Sequence, residues 1–302
     1  MPISLSAIRD ELFPGLRGVE GKYEMIPSQY DKVFELGTSE MAIERTTQMA
    51  YLPLAVQKNE GAATTFDNAA GQRYTWNLQH TAFGLGYAIT REAIDDNLYK
   101  AQFDPSNLGL AESFHQTKEI IHANILNTAT TYNSLIGGDG KALCATDHPV
   151  DGSTASNRPA TDLDLNEAAL ESSLTAIRYF PDLRNLRIFA RGRKLIVPPQ
   201  LKYVALRLLY TELRPGTANN DINAMLQAGD LPEKFMIMDF LTSQYAWFIL
   251  TDKKGLLSLQ RKAFETDMTV DFSTDNLLVK GYERYGCGYY DWRCIYGSFP
   301  TS

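Results

Sequence analysis

Residues 104–131 read DPSNLGLAESFHQTKEIIHANILNTATT. Asp104 offers a helix cap, and Pro105 suits the first helical position, where a backbone N–H has no intrahelical partner to lose. Leu110, Phe114, Ile121 and Ile125 follow at spacings of four, seven and four, which places them on one stripe of a helix. Ile120, Leu126 and Ala129 broaden that stripe. The pattern predicts one unbroken helix over 104–131. At 1.5 Å per residue it is roughly 40 Å long, a long rod for a chain of this size.

Downstream of this rod the pattern alternates. Residues 137–163 read as loops, through Gly137-Gly138-Asp139-Gly140, Asp147-His148-Pro149 and Asp151-Gly152-Ser153. Asp164 and Glu167 form a capping box for a helix with the stripe Leu170, Leu174 and Ile177. A strand is expected at Lys194–Val197. Pro198-Pro199 ends it and opens a helix that aligns Leu201, Val204, Ala205 and Leu208. Arg214-Pro215-Gly216 and Asn219-Asn220 mark another loop. Phe235–Met238 and Ala246–Leu250 read as buried strands. Residues 261–297 are strand-rich, with Met268–Phe272 alternating and Leu277–Tyr282 and Tyr289–Tyr296 rich in aromatic and β-branched residues. The fold class is α+β.

Upstream, Pro2, Pro14 and Pro27 with Gly15, Gly18 and Gly21 punctuate any long element, so an extended arm is expected, with one short helix at Leu5–Leu12. Tyr30–Leu36 reads as a short helix capped by Ser28 and stopped by Gly37. Residues 51–90 read as β-structure with little core. Ala55–Gly61 and Thr64–Asp67 lead to the turn residues Asn68-Ala69-Ala70-Gly71, and Arg73–Gln79 alternates as a two-faced strand does. A two-stranded excursion buries too little surface to stand alone. A neighbouring subunit is the natural surface for it to lie on.

Composition narrows the function classes. The 302 residues are 44% hydrophobic and 22% charged, enough for a sizeable core. Thirty-six acidic against 29 basic residues give a net charge of −7, the wrong sign for a protein that grips nucleic acid tightly. Cys144, Cys287 and Cys294 are odd in number, with no CxxC pair, so a disulfide scaffold is not expected and a reducing compartment fits. The first residues carry Arg9, Asp10 and Glu11 where a secretory signal is apolar, and no run approaches a membrane span.

Chemistry-bearing motifs are weak. Gly137–Lys141 lacks the Ser or Thr that follows the lysine of a phosphate loop, since Ala142 stands there. His115 and His122 are seven apart, about 10 Å along a helix, too far to share one metal. Asp147-His148 and the pair Asp162/Asp164 read as loop and helix-start residues, and Cys144 has no local base. Solvated or capping roles are expected for the histidines. Tyr289, Tyr290, Trp292 and Tyr296 with Arg284 and Arg293 read as packing residues, because Glu283 and Asp291 dilute the charge of any nucleic-acid platform. No catalytic, cofactor-binding or metal-binding residue is expected, and no enzyme activity.

Several segments, in order, resemble the tailed-bacteriophage major capsid proteins of the Hong Kong 97-like fold. They are Tyr87–Glu92 with Asp95-Asp96, Asp139-Gly140-Lys141 through Asp147-His148-Pro149, Lys194–Leu201, Ala246–Leu250, and Tyr282–Gly286 through Asp291-Trp292-Arg293. The resemblance implies an N-terminal arm at 1–52 and an extended loop at 53–86. It implies a peripheral domain from 87–140 and 261–302 around the 104–131 spine helix, and an axial domain at 141–260. It also implies a self-assembling shell of pentamers and hexamers, an icosahedral head enclosing double-stranded DNA contacted non-specifically. Portal and decoration proteins are implied partners, with no membrane. No long charged helical segment precedes the arm, so a separate scaffolding protein, or none, is expected. The implied location is the virion, assembled in the host cytoplasm. An encapsulin-like protein compartment shares the fold and is the alternative.

On this reading Lys58, Glu60, Arg73, Tyr74 and Trp76 are candidates for contacts between subunits at the hairpin. One stable interface buries about 1,600 Å², and a subunit with several neighbours should exceed that. Some relatives join subunits through a lysine and an asparagine. Lys58 lies in the corresponding loop, but position alone does not supply that chemistry, so non-covalent association is expected.

Overall fold

The computed structural model describes residues 21–50, 52–66, 71–96, 99–212 and 223–301. The arm helix expected at Leu5–Leu12, the turn residues Asn68–Ala70 and the loop from Arg214 to Asn220 lie outside the described residues. The chain divides into two compact units, each built from discontinuous segments.

The first unit takes the described residues up to Ala42, then His80–His122 and Ser258–Cys287. Its sheet has the order β1-β10-β11-β4, from β1 (Glu35–Thr38), β10 (Leu256–Val270), β11 (Leu277–Tyr289) and β4 (Thr81–Ile89). β11 and β4 are antiparallel, in a register running from Leu277↔Ile89 to Tyr285↔Thr81. The long helix α2 (Tyr99–Asn127), preceded by the short α1 (Arg91–Asp95), contributes Leu110, Ala111 and Phe114 to a core with Ile89, Phe264, Met268, Leu277 and Val279. Gly281 permits this packing, because a Cβ there would lie 2.8 Å from the Phe114 ring and 2.9 Å from Phe264.

The second unit comprises Ile43–Gln79, Ala123–Leu257 and the described residues from Gly288 onward. Its sheet has the order β12-β9-β7-β8. The strands are β7 (Gly192–Val197), β8 (Phe235–Ile237), β9 (Trp247–Thr251) and β12 (Ile295–Ser298). Only the β7–β8 pair is parallel; β9 runs antiparallel to both β7 and β12. Helices α3 (Glu167–Arg178) and α4 (Lys202–Tyr210) bury Leu170, Leu174, Ile177, Ala205 and Leu209 in a core with Leu195, Val197, Trp247, Ile249 and Trp292. The short α5 (Ala224–Ala228) ends at Gly229, left-handed at φ 63°, a conformation glycine adopts without a Cβ penalty. Two antiparallel ribbons complete the unit: β2 (Ile43–Ala50) with β3 (Gly71–Gln79), and β5 (His148–Val150) with β6 (Ser153–Ala155).

Several sequence expectations are corrected. The long helix begins at Tyr99, so Asp104 lies within it and is not its cap, and Pro105 is an interior residue. It ends at Asn127 rather than 131. Its buried face is also turned. Asn107, Leu110, Ala111, Phe114, His115, Lys118, Glu119, His122, Ala123 and Leu126 are buried, whereas Ile120 is exposed and Ile121 and Ile125 are only partly covered. Residues 30–36 form a 3₁₀ turn at Tyr30–Lys32 followed by β1, not a helix. Asn166, not Asp164, caps α3, its side-chain oxygen accepting from the Ala169 N–H at 2.8 Å. Tyr289–Tyr296 is not one strand, since a 3₁₀ turn at Trp292–Cys294 separates β11 from β12. All four histidines are buried, not solvated.

Candidate inter-subunit surfaces

β3 alternates as its sequence requires, with Trp76 and Leu78 buried and Thr75 and Gln79 exposed. Its partner is β2, which lies upstream of the 51–90 stretch read as a two-stranded excursion, paired from Ile43↔Gln79 to Ala50↔Gly71 with a register shift between Thr47 and Met49. The foot of this ribbon rests on its own unit. Trp76 is 2% exposed. Its ring meets Tyr289 edge-on, with centroids 5.2 Å apart, and covers Gly138, where a Cβ would fall 2.3 Å from the indole. Gly138 has φ 86°. Two backbone bonds hold the seam: the Asn77 N–H donates to Ile136 O at 2.7 Å and the Gly138 N–H to Thr75 O at 3.0 Å. Trp76 is therefore removed from the contact candidates, because its side chain supports the ribbon from within.

The span that β2 and β3 carry is different. Every residue from 52 to 66 is exposed, including Leu54 at 73% and Phe66 at 85%, with Leu52 and Val56 beside them. Lys58 precedes, and Glu60 sits within, a tight turn in which the Ala62 N–H donates to Asn59 O at 3.1 Å and Gly61 takes φ 77°. Arg73 Nη2 donates to both oxygens of Asp151 within the same unit, at 3.0 Å each. Tyr74 is half-buried. The geometry thus leaves Lys58 and Glu60 open and gives Arg73 an internal partner. The apolar side chains of 52–66, which the sequence reading did not single out, form the larger uncovered surface.

In the first unit, residues 23–34 are anchored on α2 by polar groups. The Gln29 and Tyr30 N–H groups donate to the Glu119 carboxylate at 2.6 and 3.2 Å. Tyr23 donates its hydroxyl proton to Glu283, 3.2 and 3.1 Å from the two oxygens. Lys118 donates to Glu283 at 2.5 Å, and its ammonium lies 5.0–5.9 Å from the ring centroids of Tyr23, Tyr30 and Tyr285. Burial, and then the Glu283 charge, push the Tyr23 hydroxyl well above the ordinary phenol range. His122 Nδ1 lies 2.7 Å from Lys118 O, an atom that only accepts, so Nδ1 carries the proton and Nε2 accepts from the Ser258 hydroxyl at 2.7 Å. Burial lowers the His122 pKa to about 4. Val33 and Phe34 are buried as well, so part of the stretch that the resemblance assigns to an arm contributes to the unit's interior.

The remaining motifs are structural. Gly137, Gly138 and Gly140 all have positive φ, so the glycine-rich segment is a turn. Lys141 pairs with Asp147. The His148 ring nitrogens face Asp139 at 2.7 Å and Asn157 at 3.2 Å, and the ring stacks on Trp292 with centroids 4.3 Å apart. Burial raises the Cys144 thiol far above its usual range and pushes Cys287 up to about 12, so neither is a ready thiolate. Among the described residues no group of three or more His, Cys, Asp or Glu side chains is placed to hold a metal ion. Among them, too, no helix is long and apolar enough to cross a membrane.

Comparison with known proteins agrees with this architecture. A family described as phage capsid protein matches residues 77–298. No curated protein sequence matches the chain. Among solved structures, the procapsid of bacteriophage JBD30 superimposes with a TM-score of 0.51 at 14% identity, covering 98% of this chain and 76% of that one. Microbacterium phage Oxtober96 gives 0.54 at 10%, with 91% of each chain covered. A virus-like particle from Pyrococcus furiosus gives 0.52 at 10%, covering 95% and 99%. At such identities the superpositions carry the fold alone. The chain belongs to the phage capsid protein family. Its fold is the α+β, Hong Kong 97-like fold of tailed-phage capsids.

Proposed function

We propose that this chain is the shell subunit of an icosahedral phage head, assembling as pentamers and hexamers around double-stranded DNA. The observation that carries the reading is the span 52–66. Fifteen consecutive exposed residues hold four large apolar side chains, and such a surface in one contiguous segment marks an interaction site. A neighbouring copy covers Leu54, Val56 and Phe66, with Lys58 and Glu60 at the rim and Tyr74 on the ribbon beside them. The segments 1–52 and 53–86 act as arm and extended loop, 87–140 with 261–302 as peripheral domain, and 141–260 as axial domain. Portal protein, a separate scaffolding protein and a decoration protein are the further partners, and the assembled product is the virion.

The test is assembly of the full chain, read by sedimentation velocity and electron microscopy. The triple variant Leu54→Ser, Val56→Ser, Phe66→Ser should sediment as small species with unchanged far-ultraviolet circular dichroism. Wild-type particle yield from that variant would refute the role of the loop. A protein-filled compartment of the same fold is the second reading. Nuclease-resistant DNA within particles purified from infected cells separates the two.

A further inference from the structure

Residues 178–194 read RYFPDLRNLRIFARGRK, five arginines and a lysine against one aspartate, in a chain whose net charge is −7. The structure sorts them. Asn185, Arg187, Phe189, Arg191 and Arg193 are exposed, while Leu186 and Ile188 are partly covered and Ala190 and Gly192 buried. The segment thus presents alternate residues outward. Arg178 is paired with Asp230 and Arg193 with Glu233. Arg184 lies 3.8 Å from Asp151. Among the described residues neither the Arg187 nor the Arg191 guanidinium is ion-paired with a carboxylate.

Between these two residues in the chain stands Phe189, 81% exposed and at φ 53°. A bulky side chain in the left-handed region costs about 1–2 kcal/mol, and here no burial offsets it. The backbone around it is fixed. The Ile188 N–H donates to Phe180 O at 3.0 Å, and the Arg191 N–H to the Asp252 carboxylate at 2.9 Å. Asp182 accepts from the Arg184 and Leu186 N–H groups at 2.8 Å each. Tyr179, 55% exposed, carries the Arg187 guanidinium 4.3 Å above its ring. The result is a rigid, solvent-facing strip of two unpaired arginines and two aromatic rings.

We infer that this strip is a nucleic-acid contact: Arg187 and Arg191 bind backbone phosphates, and Phe189 and Tyr179 offer rings to bases. Guanidinium groups are suited to phosphate oxygens. Interleaved aromatic rings are what single strands stack upon, whereas a duplex engages only the charges. Two phosphate contacts give weak, salt-sensitive binding without sequence preference, compatible with an acidic chain that releases its genome. The inference deepens the shell reading by placing its contact with DNA, but the binding is measured without reference to assembly.

The experiment is fluorescence anisotropy of the full-length chain with labelled DNA, as a single strand of about 30 nucleotides and as the matching duplex, at roughly 50 and 200 mM salt. Sedimentation on the same samples reads particles and unassembled subunits separately. R187Q/R191Q should weaken binding of both probes at low salt about tenfold or more and make the log–log salt slope shallower by about two. R187K/R191K should retain most of the binding, and Phe189→Ala should weaken the single strand only. Wild-type affinity and slope in R187Q/R191Q would overturn the inference, as would no binding by the wild type at low salt. Lost particle formation with unchanged DNA binding would overturn it too, assigning the strip to a protein contact. Absence of particles from the wild type, by contrast, would strike the shell reading alone.

Discussion

Lys118 and Glu283 meet at 2.5 Å with both side chains almost fully buried, so each is the other's compensation for lost hydration. Lys118→Met should cost about 3–5 kcal/mol, because it strands a buried carboxylate. Adding Glu283→Gln, which keeps hydrogen-bonding capacity without the charge, should recover a large part, and urea denaturation of unassembled chain would measure both. His122 supplies a pH dependence whose sign follows from its depressed pKa of about 4. Above the unfolded value of about 6.5 both states are neutral and nothing changes. Between about 6.5 and 4 the unfolded chain binds a proton that the folded chain refuses. Stability therefore falls with pH in that window, by up to about 3 kcal/mol at 1.36 kcal/mol per unit. Urea midpoints from pH 7 to 4 should show this slope flattened in His122→Gln, and an unchanged slope would count against the assignment. At Gly138, φ 86° and the overlying indole act together. Gly138→Ala should cost at least about 2 kcal/mol in the same assay.

At the scale of the element, α2 shows why an apolar pattern alone misplaces a face. Counting Ile120, Ile121 and Ile125 turns the stripe away from the true one, which passes through His115, Lys118, Glu119 and His122. Those residues are buried with partners: Ser28 for His115, Glu283 for Lys118, the N–H groups of Gln29 and Tyr30 for Glu119, and Ser258 for His122. No residue within the helix announces partners 90 or 165 positions away. The two faces predict different losses. Leu126→Ala should destabilise by about 2–5 kcal/mol, whereas Ile120→Ser on the exposed side should stay within about 0.5 kcal/mol. Equal losses in urea titration would mean the face is drawn wrongly. The ribbon makes the same point for strands. The alternation of Arg73–Gln79 is legible because period two survives in the sequence. Its pairing with Ile43–Ala50 is not, because pairing depends on what lies across the ladder.

For the whole molecule, the shell reading carries a further expectation. Purified particles run on a denaturing gel should give a monomer band, because an exposed position in the loop does not by itself supply Lys58 with the chemistry of a covalent link. A ladder of covalent oligomers would refute non-covalent assembly. Lys58→Arg would then test whether that residue forms the link.

The sequence by itself determined the fold class, the long helix, the strands at β3, β7, β9 and β11, the stripe of α3 and the resemblance to phage capsid proteins. These rest on periodicity and local turn chemistry, which neighbouring residues specify among themselves. Only the tertiary structure decided which face of α2 is buried, that Trp76 supports its own chain, that residues 23–34 are anchored on the helix, and that Arg187 and Arg191 stand unpaired beside a strained phenylalanine. The physical reason is common to all four. Burial of a polar group, or exposure of an apolar one, is settled by partners distant in the chain, and a local pattern carries no record of them.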